Sequence, residues 1–293
     1  MKRRAVFSIL MGMMGMVLSL NAQVFTLSKE QMIQYTANNP FGRFEDGRPK
    51  VPDELLRKLD PLSVENVFGV LPGAKYPNQF EGNWRILHPG KKLVGRAVTA
   101  QFMPYRPDVA TISEEAAKAK GLCPQANQRV IDMLQPGDVV VVDLFGKVQD
   151  GTFIGDNLAA AIYSATQTGF VIDGSIRDLE GIYPMGIPGY VRGFHPTAIG
   201  NVMLTGVNIP IRIGNATVMP GDVVFGDREG IYFIPPHLME EVINKAQETL
   251  IHDEWTKNKF LTGRYKSSDL YPSPTDPELK KEYEDYKKKR LAK

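Results

Sequence analysis

The chain has 293 residues, 43% apolar and 23% charged, with a formal charge of +2; this is the balance of an ordinary globular protein and excludes a disordered or fibrous one. Without Lys2, Arg3 and Arg4 the charge becomes −1, so the remainder offers no general electrostatic surface for nucleic acid or for an anionic membrane. Cys123 is the only cysteine, which excludes an intrachain disulfide, and in Gly121-Leu122-Cys123-Pro124 it has no nearby His that would make it a nucleophile.

Residues 1–22 carry the three basic side chains, then the apolar run Ala5 to Leu20, then Asn21-Ala22. This is the pattern of a secretory signal peptide, and it places the protein in the periplasm or outside the cell. Residues 23–61 are polar and broken by Pro40, Pro49, Pro52 and Pro61, with one short helix expected over Asp53 to Leu59; they read as an N-terminal arm. Residues 62–263 read as the single folded domain, and residues 264–293 as a C-terminal extension.

Within the domain, Ser63 to Val70 can open a helix, and Leu93 to Ala100 alternates like a half-buried strand. Val139 to Leu144 is a β-branched run, Leu158 to Thr168 is helical, and Phe170 to Asp173 is a second buried strand, giving a β-α-β unit. Short strands follow at Asn201 to Gly206, Ile209 to Ile213, Val223 to Phe225 and Ile231 to Ile234. Pro136-Gly137-Asp138 and Pro220-Gly221-Asp222 each lead into a strand, which is one turn chemistry used twice. Leu238, Val242, Ala246 and Leu250 mark one face of a long amphipathic helix over Pro236 to Phe260. The charged stretch Lys280 to Arg290 reads as a solvated helix or a frayed end.

The segment that carries chemistry is Gly155-Asp156-Asn157-Leu158, followed across one helix and one strand by Asp173-Gly174-Ser175-Ile176-Arg177-Asp178. Loops after successive parallel strands lie side by side at the carboxyl edge of a sheet, so Asp156 and Arg177 can face one pocket. A helix opening at Gly155 would offer free amides and its dipole to a carboxylate, Arg177 would add a bidentate clamp, and Asp178 is a hard oxygen ligand for Mg²⁺ or Mn²⁺. The same residues also suit a plainer role, with Asp156 as a helix cap and Arg177–Asp178 as a surface ion pair.

These blocks, together with Gly137 to Asp143, Gly95-Arg96-Ala97-Val98-Thr99, Pro220-Gly221-Asp222 and Gly226 to Ile231, resemble the 4-hydroxy-4-methyl-2-oxoglutarate aldolase family. That family also includes the regulator of ribonuclease activity A. The likeness runs from about Leu62 to Gly263. It implies a layered α/β domain of the β/β/α swivelling type, assembled as a homotrimer or homohexamer.

By the same resemblance, the backbone of Gly155, Asp156, Asn157 and Leu158 would hold a pyruvyl carboxylate. Arg177 would bind the 2-oxo group, Asp178 would ligate a divalent metal cation, and Asp156 would hold the water that acts as base. The implied activity is metal-dependent retro-aldol cleavage of a small 2-oxo acid to pyruvate, with oxaloacetate decarboxylation as a side activity. Asp253 or Glu254 on the C-terminal helix would reach a neighbouring subunit's metal.

The arm, the aromatic insert Tyr76 to Trp84, the segment Tyr183 to His195 and the extension past Gly263 depart from the minimal family pattern, and His195 could edge the pocket. Two other functions stay open at this stage: a non-catalytic ring-shaped binding protein of the same family, and a metal-dependent hydrolase or lyase for sugar-derived acids.

Overall fold

The computed structural model describes residues 24–292; the export signal expected over residues 1–22 lies outside them. The segment read as an arm begins with α1 (Lys29–Tyr35), whose capping box pairs Ser28 with Gln31 in both directions. A short antiparallel ribbon follows, β1 (Gly42–Arg43) with β2 (Pro49–Lys50), and then α2 (Asp53–Arg57).

This segment is built into the core. Arg48 is 1% exposed, and its two terminal nitrogens meet the Asp138 carboxylate at 2.7 and 3.1 Å. Arg96 likewise reaches back to the Val51 carbonyl and to Asp53. Val51, Leu59 and Leu62 are fully buried as a result.

The helical turns α3 (Val64–Val67) and α4 (Val70–Gly73) stand where one helix was expected, followed by the edge strands β3 (Phe80–Glu81) and β4 (Arg85–Ile86). The long strand β5 (Leu93–Pro104) is followed by α5 (Pro107–Ala119) and α6 (Ala126–Ile131), neither of which the sequence pattern announces. Next come β6 (Asp138–Lys147), α7 (Asp156–Thr166), β7 (Phe170–Ile176), α8 (Leu179–Ile182) and β8 (Gly189–Phe194). The remainder is β9 (Val202–Val207), the hairpin β10 (Ile211–Ile213) with β11 (Ala216–Val218), β12 (Val223–Gly226), β13 (Ile231–Ile234), α9 (Met239–Phe260), α10 (Ser267–Leu270) and α11 (Pro277–Leu291).

Nine strands form one mixed sheet in the order β3-β13-β12-β5-β6-β7-β8-β4, with β9 also paired to β5. The central four, β5 to β8, run parallel, as crossover helices require. Both faces of β6 and β7 are covered, which is why these two read as continuous apolar runs. Val140, Val142 and Ile172 pack against Ala159 and Ile162 of α7 on one face. Val139, Val141 and Val171 pack against Ile213 and Val218 of the hairpin on the other. The result is a hairpin, a sheet and a helical layer, the layered α/β arrangement expected. A third cluster joins β12 and β13 to α9 and to the arm.

The segment Tyr183 to His195 contains a central element. Its strand β8 pairs with β7 from Phe170↔Gly189 to Ile176↔Phe194. Gly189 is needed there, since a Cβ would lie 2.6 Å from the Phe170 ring. The aromatic insert is held by Arg192 of β8, which donates to Asp173 at 2.6 Å, to Glu81 at 2.8 Å and to the Gly82 carbonyl at 2.9 Å, with its guanidinium over the Trp84 ring.

The extension does form a helix, α11, which has no buried residue, while Leu270 of α10 is fully buried. Helix α11 nevertheless docks on α9, where Tyr283 packs edgewise on His252 and beside Trp255. Among the described residues no helix is long and apolar enough to cross a membrane.

Candidate active site

The loop between β6 and α7 is fixed by hydrogen bonds rather than by regular structure. Phe153 N–H donates to the Ser175 carbonyl at 2.9 Å, and Arg177 N–H to the Ile154 carbonyl at 3.0 Å. Thr152 Oγ1 donates to the Thr197 carbonyl at 2.7 Å. Asn127, buried on α6, donates its side-chain amide to the Phe153 carbonyl at 2.7 Å. Together these bonds deliver Gly155 beside the end of β7.

Gly155 is the N-cap of α7, in extended backbone and with no side chain to satisfy the first turn. The Asn157 N–H donates to Asp156 Oδ1 at 2.8 Å. The N–H groups of Asp156 and Leu158 have no backbone acceptor among the described residues. Two free amides and the positive end of the helix dipole therefore come together at this end of α7, a ready site for an anion.

Arg177 and Asp178 arrive from the other side. Asp178 sits in the left-handed region at φ 58° and ψ 43°, which Asp tolerates better than most residues and which bends the chain sharply into α8. Its carbonyl accepts from the N–H groups of Gly181 and Ile182, while its carboxylate makes no cap bond. That carboxylate turns back toward α7, where a Cβ on Gly155 would lie 2.2 Å from Asp178 Oδ2 and 3.2 Å from Arg177 Nε. Arg177 Nε stands 3.4 Å from Asp178 Oδ2. Asp156 is cradled in the same way, since a Cβ on Gly181 would lie 2.4 Å from its Oδ2.

Asp156, Arg177 and Asp178 thus share one ledge at the carboxyl edge of the parallel strands. The ledge is open, with the Arg177 and Asp178 side chains 38% and 42% exposed. Its acidic donors are Asp156 and Asp178, and among the described residues no three His, Cys, Asp or Glu side chains cluster. One or two carboxylates suit Mg²⁺ or Mn²⁺, which keep water and substrate oxygens in the shell; a tetrahedral zinc cage would need more.

His195 lies at the same sheet edge, its N–H donating to the Ile176 carbonyl at 3.1 Å, but its ring is engaged with Thr197 Oγ1 at 2.9 Å. Asp253 and Glu254 do not join the ledge within this chain. Glu254 accepts from Arg290 of α11 at 2.8 Å, and that guanidinium holds its carboxyl below the usual range. Asp253 stands 3.5 Å from His252 Nδ1.

Sequence reasoning missed two features. Asn127 gave no signal, standing as one amide among Gln125, Gln128 and Arg129 on a short helix. The other is a deeper row behind the ledge, in which Asp143 and Asp173 are register partners across β6 and β7. Burial pushes the Asp143 carboxyl up, and the neighbouring Asp173 charge adds to the effect. Their visible trace is an Asp ending each apolar run.

Comparison with known proteins agrees with this architecture. The family model described as RraA-like, Aldolase/RraA, matches residues 73–233. A Halalkalibacterium halodurans protein named "Putative 4-hydroxy-4-methyl-2-oxoglutarate aldolase" is 33% identical over 119 residues, covering 41% of this chain and 56% of that protein. The Legionella pneumophila protein DlpA is 29% identical over 178 residues, covering 60% of this chain but 27% of DlpA. The chain therefore spans between about a quarter and a little over half of these relatives' own lengths.

Among solved structures, Streptomyces coelicolor RraAS2, described as an unusual member of the RNase ES inhibitor RraA family, superposes with TM-score 0.60 at 26% identity. That match covers 75% of this chain and 98% of RraAS2. A Pseudomonas syringae protein of uncharacterised function shares the fold, with TM-score 0.63 at 23% identity over 76% of this chain and 95% of that one. With the family model matching more than half its length and the fold in agreement, the chain belongs to the RraA-like family.

Proposed function

We propose that this protein is a divalent-metal-dependent carbon–carbon lyase that cleaves a 4-hydroxy-2-oxo acid to release pyruvate. The observation that carries the reading is the convergence of Arg177 Nε and Asp178 Oδ2 on Gly155, the N-cap of a helix whose first turn has free amides. Relatives named as aldolases support it at about 30% identity.

In this reading the Asp156 and Leu158 amides hold the substrate carboxylate, and Arg177 stands by the C2 oxygen. Asp156 holds a water that accepts the proton of the C4 hydroxyl. As that proton leaves, C4 becomes a carbonyl, the C3–C4 bond breaks, and its electron pair passes through C3 to the C2 oxygen as an enolate. Arg177 stabilises the charge on that oxygen, and protonation at C3 then gives pyruvate. A divalent cation held by Asp178 would supply Lewis-acid stabilisation of the same charge. Oxaloacetate decarboxylation passes through the same enolate and is the expected side activity.

An open ledge calls for a cover, and a second copy of the chain in a homotrimer or homohexamer would provide one; light scattering on the purified protein tests this. Lys2 to Arg4 followed by the apolar run to Leu20 supports export, which N-terminal sequencing of the protein recovered outside the cytoplasm tests. The enzymatic reading itself is tested by a screen of 2-oxo acids with added Mg²⁺ or Mn²⁺, read as pyruvate formed. Absence of any metal-stimulated turnover would favour the non-catalytic, regulatory role also found in the family.

A further inference from the structure

The two Pro-Gly-Asp turns share a backbone and differ in charge. Gly137 and Gly221 adopt the same left-handed conformation, at φ +82° and +87°. Asp138 Oδ2 accepts from the Gln135 N–H at 2.9 Å, and Asp222 Oδ2 from the Met219 N–H at 2.8 Å. Asp138 is then neutralised by Arg48, which reaches its two oxygens at 2.7 and 3.1 Å. Asp222 has no such partner among the described residues. It is 3% exposed, and its Oδ1 takes no donor there. Burial accordingly pushes its carboxyl up to about 7.

Asp222 forms part of the wall of a cavity of about 410 Å³, a size suited to a small ligand. One side is the end of α1 and the residues after it, including Thr36 and Asn38; the other carries Tyr76 and His237, with Pro235 and Pro236 as an apolar strip. His237 Nε2 lies 3.2 Å from Tyr76 Oη, and burial lowers the ring's proton affinity, so His237 adds no positive charge near neutrality. Among the described residues neither Lys nor Arg lines the cavity, so the only formal charge they place in its wall is that of Asp222.

We propose that this cavity is a second ligand site which takes a small organic cation, its guanidinium or ammonium group seated against Asp222 and its stem along Pro235 and Pro236. The site is distinct from the ledge. Asp222 precedes Val223, which pairs with Arg96 and through it with Asp138, at the start of the parallel strands, whereas Arg177 and Asp178 follow their ends. The twin turn supplies the chemical precedent, since the same carboxylate geometry there is satisfied by a guanidinium from within the chain.

The test is calorimetric titration of methylguanidinium into the full chain at about pH 8, with acetate as the anionic control. Two variants accompany it: Asp222→Asn, which keeps a hydrogen-bond acceptor for Met219, and Ala37→Trp, which fills the cavity from the α1 side and leaves Asp222 in place. Saturable millimolar or tighter binding of methylguanidinium but not acetate is expected, weakened at least about tenfold in each variant and retained in Asp178→Asn. No saturable binding up to about 50 mM, binding at parent strength in either cavity variant, or loss of binding in Asp178→Asn would overturn the proposal.

Discussion

Gly155 and Asp178 share one volume: the carboxylate is seated 2.2 Å from where a Cβ at residue 155 would be, so only a glycine hydrogen fits between them. Gly155→Ala should therefore push Asp178 and the adjacent Arg177 off the ledge while leaving the buried sheet intact. Pyruvate release should fall by about 100-fold, the usual cost of a roughly 1 Å misplacement of catalytic groups. Circular dichroism should stay unchanged. Full activity in this variant would mean that the carboxylate plays no part in turnover.

Arg48 ties residues 43–57 to the sheet through Asp138, with both side chains almost completely buried. Arg48→Met leaves Asp138 uncompensated, a loss of about 3–5 kcal/mol. In a chain of this size that lowers the melting temperature by roughly 10 °C. Adding Asp138→Asn should recover part of the loss, because the orphaned charge goes with it. An unchanged melting temperature in Arg48→Met would show that the arm does not contribute to the core.

Asp222 sets a pH dependence of stability. Its folded-state value of about 7 lies above the ordinary 3.8, so the fold disfavours the ionised form. The contribution of this residue is complete below about 3.8 and is lost as the pH rises through about 7. Asp222→Asn has no charge to bury, so it should melt above the parent protein at pH 8, by several degrees, and by less at pH 5. Thermal scans at the two pH values decide the sign.

Parts of this fold are legible in the sequence because burial on both faces leaves no alternation to misread. Val139 to Val142 and Phe170 to Ile172 announce their strands directly. The Gly155–Asp156 loop and the Arg177–Asp178 pair are legible for a related reason, since each follows a readable strand and the topology then brings them together. By contrast, β8 hides behind Gly186, Pro188 and Gly189, residues that signal a turn. The buried arm could not be read because it depends on Arg48 meeting Asp138, 90 positions along the chain. The solvated composition of α11 conceals that one tyrosine, Tyr283, docks it on Trp255.

That docking makes a further prediction. Trp255 is 3% exposed, with Tyr283 against it. Removing residues 264–293 should uncover its ring, shift its fluorescence to longer wavelength and lower the melting temperature by a few degrees. Arg290→Ala, which breaks only a pair 38% exposed on each side, should leave the melting temperature almost unchanged. If the truncation leaves the fluorescence unmoved, the extension does not pack as described.

In the proposed function Asp156, Arg177 and Asp178 form one metal-dependent lyase site. This is tested most directly by measuring pyruvate release from oxaloacetate and from 4-hydroxy-2-oxo acids with the metal removed by EDTA and then restored as Mg²⁺ or Mn²⁺. Turnover should disappear in EDTA, return with the added cation, and stay absent in Arg177→Ala and Asp178→Asn. Turnover that persists in excess EDTA, or at the parent rate in either variant, would contradict it.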